Sequence, residues 1–446
     1  MASSTRPRHY FYLHFLLFRV LGLGWWHQPD ERDTRNFFGW YLYYSIVTQF
    51  VWVVGFVGLE TIDPFIGEKD IDRFMFSLSF VITHDLTLIK LYIFYFKNDQ
   101  IQDIVRTLEI DLYNFYQNNA KNRATIKISR VMTASFVFFG WITIGNTNVY
   151  GTIYDIRWKA EVAKLNNTDL APPRTLPQPI YIPWNYQTEE AYISTFVLET
   201  VGLLWTGHIV MGIDTFIGSL ILHMSNQFSI LREALITAYD RTMIRLYEGV
   251  RQDFIAITNS DIDKKEQYTQ DNIEEVVKSR YSKEEIEVAL TETFKNCFRQ
   301  HQALIGCVEN FSTTYAYGFM TQLLSSMAAI CVVMVQVSQD ASSLKSTNLV
   351  TSLAFFVAMI IQLALQCFTG NELTLQASRI ADAVMHSKWE KMSPKLRRLL
   401  MITMMRAQRP LRLTAAGFAY INTDCFISIM KAAYSYYAVL SQKQST

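Results

Sequence analysis

Charge is scarce in this sequence. Of 446 residues only 18% are Asp, Glu, Lys or Arg, against roughly 25% in ordinary soluble chains, and the formal net charge is +1. That balance, with no basic tract carrying interleaved aromatics, argues against nucleic acid as a partner. Cysteine is scarce too. Cys297, Cys307, Cys331, Cys367 and Cys425 include no CxxC pair, so zinc and thioredoxin-like readings lack support and no metal site is expected. HExxH, GxSxG and P-loop motifs are missing and the acids do not pair at catalytic spacing. The chain is therefore expected to be no enzyme and to need no cofactor. No internal repeat supports a transporter built from repeated halves.

What the chain has instead is apolar and aromatic: half of it is hydrophobic, with thirty Phe, twenty-four Tyr and nine Trp. A helix crossing the ~30 Å hydrocarbon core of a bilayer needs about twenty such residues. The stretch 37–59, "FFGWYLYYSIVTQFVWVVGFVGL", is uncharged throughout. Further spans are predicted at 74–96, 131–150, 193–222, 311–337, 349–368 and from about 415 onward. Most of these carry polar, ionisable or small residues, as expected where helices face one another rather than lipid. The expected fold class is all-α, a polytopic protein of seven transmembrane helices in a lipid bilayer. The apolar run "HYFYLHFLLFRVLGLGWW" is broken by Arg19 and lacks a small-residue cleavage site. It reads as a retained cytoplasmic or interfacial segment rather than a signal peptide.

Lys and Arg are shared unevenly, about 31 on the side of the N-terminus and about 8 on the other. The positive-inside bias then puts the N-terminus in the cytoplasm and the C-terminus outside. The chain divides into an N-terminal segment 1–36, four helices over 37–222 with an outer loop 151–190, and a cytoplasmic helical anchor region 223–310. Two helices over 311–375, a cytoplasmic anchor helix within 376–412 and a last helix with a short outer tail over 413–446 complete it. The outer loop holds a glycosylation acceptor, Asn166 in "NNT", whereas the acceptor at Asn310 lies on the inner side and should stay bare. The same loop contains "APPRTLPQPIYIP", which cannot be helical and is expected to fold over the outer surface as a lid. No cysteine lies in an outer loop, so an extracellular disulfide framework is excluded by this topology.

On the inner side, Ser282 and Glu285 form a capping box before Ile286, Leu290, Phe294 and Cys297, which recur at helical spacing. This predicts a helix running directly into the fifth span. The polar segment 258–272 before it shows little periodicity and is expected to be mobile. In "SPKLRRLLMITMMRAQRP", Leu396, Leu399, Leu400, Thr403 and Met404 share one stripe until Pro410 ends it. Spacing does not decide whether this basic helix lies on the membrane surface or ties subunits together below it.

In the last span, Ser428, Lys431, Ser435, Val439 and Gln442 recur at three and four residues and form one narrow polar stripe. A lysine in hydrocarbon costs several kcal/mol unless it meets water or an anion. Either the stripe faces a water-filled pore shared by several copies, with Val439 as a hydrophobic constriction and Gln442 just beyond it, or Lys431 pairs with Asp424 or another acid and the stripe is bundle core.

The segment 370–442 resembles the C-terminal signature of insect odorant receptors. The resemblance is carried by Gly370-Asn371-Glu372, Trp389, "MRAQRPLRLTAAGF" from Met405 and "KAAYSYYAVL" from Lys431. "RVLGLGWW" and "HQALIGCVENF" are weaker matches. The resemblance implies a ligand-gated, non-selective cation channel, assembled as a tetramer with a co-receptor subunit around a pore lined by the last helix. Permeating cations would pass Val439, at the position of the family's gate, and Gln442 at the pore mouth. It further implies a cytoplasmic anchor region containing 397–408, an odour-tuned rather than co-receptor subunit, and residence in the dendritic membrane of an olfactory neuron.

The family's ligand, a small volatile odorant, sits in the outer half of one subunit. Applied to these spans, the resemblance points to Phe76, Phe80 and His84, to Ile142, Thr143, Asn146 and Tyr150, to Phe196, Thr200 and Leu203, and to Phe355. Aromatic walls with a few hydroxyl or amide groups suit an apolar molecule held by dispersion and one hydrogen bond. His84, Asp85, Lys90, Glu199, His208 and Asp214 are costly inside spans, and spacing does not assign their partners. A G-protein-coupled receptor would place its N-terminus outside, against the charge bias. A gustatory-type channel of the same superfamily is the nearer rival, but "SYYAVLSQ" fits the odorant version better.

Overall fold

The computed structural model describes residues 10–24, 35–66, 71–164, 172–258, 270–342 and 346–444. Asn166 and most of segment 258–272 lie outside them. The chain is a bundle of long helices: α1 (Tyr12–Val20), α2 (Arg35–Gln49), α3 (Phe56–Ile66), α4 (Ile71–Phe96), α5 (Asn98–Arg106), α6 (Asn119–Val162), α7 (Glu189–Ile236), α8 (Ala238–Thr258), α9 (Gln270–Arg280), α10 (Lys283–Ser342), α11 (Ser346–Met385), α12 (Pro394–Ala407) and α13 (Thr423–Gln444). Turns of π-helix at Phe50–Gly55 join α2 to α3 without a break.

Helix ends follow local chemistry. Asn118 caps α6, its side chain accepting from the amides of Ala120 and Lys121 at 3.1 Å each. At the start of α10 the expected capping box is present: Ser282 N–H donates to Glu285 Oε2 at 2.8 Å and Glu285 N–H to Ser282 Oγ at 3.2 Å. α10 has 60 residues, a rod of about 90 Å at 1.5 Å per residue, three times the hydrocarbon thickness. It therefore serves as both span and extramembrane helix.

Among the described residues six helices are long and apolar enough to cross a membrane, at Trp40–Ile66, Phe74–Phe96, Asn119–Val162, Glu189–Ile236, Lys283–Gln339 and Leu349–Met385. The seventh expected span is α13, whose 22 residues reach about 33 Å, the thickness of the hydrocarbon core. Its expected start near 415 is corrected. Thr414–Ala415 and Ala419–Tyr420 form an antiparallel hairpin, turned by Ala416 and Gly417 at φ 49° and 81°, a region that glycine enters without strain. Asn422 Oδ1 then accepts from Cys425 N–H at 2.9 Å and α13 begins.

The core sits where α7 meets α10 and α11, and residues 211–221 of α7 are buried on every side. Hydroxyls there bond back to the preceding turn, Thr206 to Gly202 O and Thr215 to Met211 O, both at 2.7 Å, so they reach the interior without orphaned donors. Gly202 lets α3 approach: a Cβ there would lie 2.3 Å from the Phe56 ring. The N-terminal helix α1 buries His14 and Phe18, with Phe11 just before it, against Phe216 of α7 and leaves Tyr12, Leu16 and Val20 exposed. The carbonyls at its C-terminal end are taken by donors of α2, with Tyr44 Oη on Val20 O at 2.6 Å and Gln49 Nε2 on Leu21 O at 2.6 Å. In α12, Leu396 and Leu400 are buried while Leu399, Thr403 and Met404 are half-buried. The helix packs along α11 of its own chain.

Candidate functional site

Between α4, α6, α7 and α11 lies a cavity of about 100 Å³. Its wall is largely apolar: Phe80, Phe136, Ile144, Leu203, Met211 and Phe355 supply most of it. Space is left by two glycines. A Cβ on Gly140 would meet Met211 Sδ at 2.1 Å, and one on Gly207 would meet Ile144 Cδ1 at 3.1 Å. Phe80 stands 5.2 Å from Phe355 and 5.2 Å from Phe76, edge-on to the latter. The hydroxyls that face the cavity are already engaged, Thr143 donating to Phe139 O and Thr147 to Thr143 O at 3.1 Å each. What such a site offers a guest is dispersion and a few lone pairs, the recognition chemistry of a small, nearly apolar molecule. An apolar cavity of ~150 Å³ is enough for benzene, so this one is of the same order.

Of the residues expected around a ligand, Phe80, His84, Thr143, Leu203 and Phe355 line this cavity together. The other six lie elsewhere. Phe76 backs Phe80. Ile142 is 45% exposed on the outside of the bundle. Asn146 Nδ2 donates to Thr351 Oγ1 at 2.9 Å, and Thr200 Oγ1 to Asn148 Oδ1 at 2.7 Å. Phe196 stacks on Tyr192, and Tyr150 packs at a tilt against Tyr154 of its own helix. Helical rotation separates them: Thr143 and Thr147 share one face, whereas Ile142 sits about 100° away. Sequence reasoning passed over Gly140, Gly207, Met211 and Gln362, although glycines within apolar spans are a usable sign of close packing or open space.

Two polar clusters bracket the cavity. On one side His84, whose ring lines the wall, has Nδ1 2.6 Å from Glu60 Oε2, and Gln178 Nε2 from the outer loop donates to Glu60 Oε1 at 2.8 Å. Glu199 lies buried beside Gln178. On the other side Gln362, also in the wall, donates through Nε2 to Asp214 Oδ2 at 2.5 Å, and Lys90 Nζ is 2.5 Å from Asp214 Oδ1. Asp85 accepts from Thr61 Oγ1 at 2.9 Å and His208 Nε2 from Trp141 Nε1 at 2.9 Å. Thus His84, Asp85, Lys90, His208 and Asp214 have partners across helices. Among the described residues no three His, Cys, Asp or Glu gather as a metal site.

The loop 172–187 covers the end of the bundle nearest His84. It is non-helical as its prolines require, and Tyr181 N–H donates to Leu59 O at 3.3 Å while Ile180 is buried. Arg174 pins it. That side chain is 1% exposed and lies 3.8 Å from the Tyr192 ring centre and 4.9 Å from that of Trp158. It is paired with Asp155 through Nε at 2.7 Å and with Glu189 at 2.9 Å. Hydrogen bonds from Lys159 and Arg174 hold the Glu189 carboxyl below its ordinary range. Arg174→Gln keeps length but loses charge and stacking, at a cost of about 2 kcal/mol. Amide hydrogen exchange across 175–182 is expected to speed up roughly thirty-fold; unchanged protection would show that the loop is held by something else.

On α13, Ile429 and Ala433 are buried against the bundle and Phe426 packs 5.3 Å from Phe368. Ser428, Lys431, Ser435 and Val439 are all exposed, Val439 at 59%. Both serines bond to their own helix, Ser428 to Asp424 O at 2.8 Å and Ser435 to Lys431 O at 2.9 Å. Among the described residues no carboxylate lies within 4 Å of Lys431. The side chain of Gln442 lies outside the described residues.

The profile of the family described as 7tm Odorant receptor matches residues 70–434. Odorant receptor Or1 of Anopheles gambiae is 21% identical over 449 residues, covering 98% of this chain and 96% of that one. Odorant receptor 2a of Drosophila melanogaster is 25% identical over 150 residues, 31% of this chain and 38% of its own. Among solved structures, the insect olfactory receptor OR5 from Machilis hrabei in complex with eugenol superposes with a TM-score of 0.70 at 14% identity, covering 96% of this chain and 97% of that one.

Proposed function

This chain belongs to the 7tm odorant receptor family and is an all-α, multi-pass membrane protein, and from that premise we propose that it is the odour-tuned subunit of a ligand-gated, non-selective cation channel. A small volatile odorant occupies the cavity between α4, α6, α7 and α11, against Phe80, His84, Thr143, Leu203 and Phe355. The channel is a tetramer with a co-receptor subunit, its pore lined by α13 from each chain. The N-terminus faces the cytoplasm of the olfactory dendrite, the C-terminus and the loop bearing a glycan on Asn166 face outside, and α12 with α8–α10 forms the cytoplasmic anchor where subunits meet.

One observation supports the channel reading most. α13 buries Ile429 and Ala433 in its own bundle yet turns Ser428, Lys431, Ser435 and Val439 away from it, and among the described residues no acid lies beside the lysine. An unpaired ammonium on a spanning helix is stable only against water or another subunit's polar face, which the bundle-core alternative does not provide. A ring of Val439 side chains makes a hydrophobic constriction that gates by dewetting.

The test is electrical. Cells expressing this chain with a co-receptor are expected to pass inward cation current on exposure to at least one member of a volatile odorant panel; cells lacking either partner pass none. Val439→Glu is expected to shift reversal potential toward cation preference or change conductance at unchanged surface density. Currents indifferent to position 439 would remove α13 from the pore.

A further inference from the structure

A second cavity, of about 260 Å³, lies at the other end of the molecule from the outer loop, where the turn at Leu112–Asn114 meets α8 and α10. Its chemistry is the reverse of the first. Arg241 and Arg245 of α8 face Thr293, Asn296 and Gln300 of α10 across it, with Tyr116 at the side, and no carboxylate lines it. Several cations of the surrounding region are paired with acids. Lys121 has Glu233 at 2.9 Å, Lys388 has Asp240 at 2.6 Å, Lys391 has Glu274 at 2.7 Å and Arg406 has Glu309 at 3.2 Å. Among the described residues neither Arg241 nor Arg245 has an acid within 4 Å.

The two guanidinium groups are prepared differently. Arg241 is held in place, Nε donating to Thr237 Oγ1 at 3.1 Å and Nη2 to Ala234 O at 2.7 Å, with its plane 4.2 Å from the centre of the Tyr116 ring. Arg245 makes only a long contact from Nη2 to Ala289 O at 3.5 Å, so nearly its whole fork is free. Gln300 supplies the independent sign. It is 1% exposed, it lines the cavity, and its Nε2 has no acceptor. Leaving a buried N–H unsatisfied is costly, and this amide lines the same space as the guanidinium groups of Arg241 and Arg245. Cys297, also in the wall, shares a hydrogen bond with Arg241; burial pushes its thiol up to about 11, the nearby Arg241 only moderating the rise, and it stays neutral.

We infer that this cavity binds a small phosphorylated anion, gripped between Arg241 and Arg245 with the Gln300 amide beneath it. A tetrahedral phosphate offers several acceptor oxygens, which suits two planar forks better than a single-point anion such as chloride. The volume exceeds a bare ion and falls just short of the ~300 Å³ where small-molecule clefts begin, so the phosphate is carried on a small group. A soluble phosphate ester and the headgroup of a phosphorylated lipid share this chemistry. The inference does not depend on what occupies the first cavity. It bears on assembly because α10 continues unbroken from this site to the span that packs against α13.

The test uses the full-length chain with its co-receptor in lipid nanodiscs. The probes are inositol 1,4,5-trisphosphate in solution, inorganic phosphate as competitor, and discs with or without phosphatidylinositol 4,5-bisphosphate. Saturable trisphosphate binding is expected, weakened at least tenfold by Arg245→Gln, which gives up only one long hydrogen bond and should fold. Asn296→Asp should weaken it similarly, since it adds negative charge at the cavity edge with almost no change of shape. Binding in plain discs identifies a soluble ester as the ligand; binding that needs the lipid, and is lost in both variants, identifies a headgroup. No saturable binding of any probe, or binding indifferent to both substitutions, overturns the proposal.

Discussion

Asp214→Ala is expected to cost about 3–5 kcal/mol and to remove the receptor from the cell surface. The Lys90 and Asp214 side chains are 5% and 1% exposed and 2.5 Å apart, and the carboxylate also accepts from Gln362 at 2.5 Å and from Gln366 at 3.4 Å. Removing it strands an ammonium and two amides in the middle of the bundle. The penalty comes from the stranded charge, not from any large net worth of the pair, because desolvation offsets most of the attraction between buried ions. The double variant Lys90→Met, Asp214→Leu should therefore recover most of the loss. Melting followed by fluorescence-detected gel filtration, with surface biotinylation in parallel, gives both readings. If Asp214→Ala melts like the parent, or the double variant is no better than the single one, this account of the core is wrong. Because Gln362 lines the cavity and is oriented by Asp214, the rescued double variant is also expected to respond to a changed set of odorants.

Gly207→Leu is expected to raise the half-maximal odorant concentration at least a hundred-fold while leaving assembly intact. Even a methyl group at this position comes within 3.1 Å of Ile144 Cδ1, and a leucine side chain takes up most of a space of about 100 Å³. Overpacking of this kind costs about 1–3 kcal/mol of stability, which a folded bundle tolerates, whereas a ligand that no longer fits loses its dispersion contacts outright. The complementary change, Met211→Ala, enlarges the cavity and should shift preference toward bulkier odorants. Dose–response curves at matched surface density decide the matter. An unaltered curve for Gly207→Leu would move the odorant out of this cavity.

These two sites differ in how far they could be read in advance. Phe80, His84, Thr143, Leu203 and Phe355 were named by resemblance and converge on one cavity, while Ile142, Asn146 and Tyr150, named with them, point elsewhere. Spans can be counted from hydropathy, but the rotation of each helix about its axis is set by its neighbours. The partners of Lys90 and Asp214, 124 positions apart, could not be matched for the same reason. Nor could Glu60 and Gln178, 118 apart, be foreseen from either stretch by itself.

By itself the sequence determined what is local. Apolar runs marked the spanning helices, Ser282 with Glu285 marked the start of α10, prolines excluded helix from 171–183, and the C-terminal signature marked the family. Each depends on residues a few positions apart, where hydrophobicity, capping and steric exclusion act without reference to the rest of the chain. The tertiary structure alone decided which faces meet. It enclosed a cavity with glycines 140 and 207, paired distant charges, turned the stripe of α13 away from its own bundle and set two arginines of α8 on one cavity wall with no acid beside them among the described residues. Those outcomes arise from close packing between helices, and no short-range rule along the chain contains them.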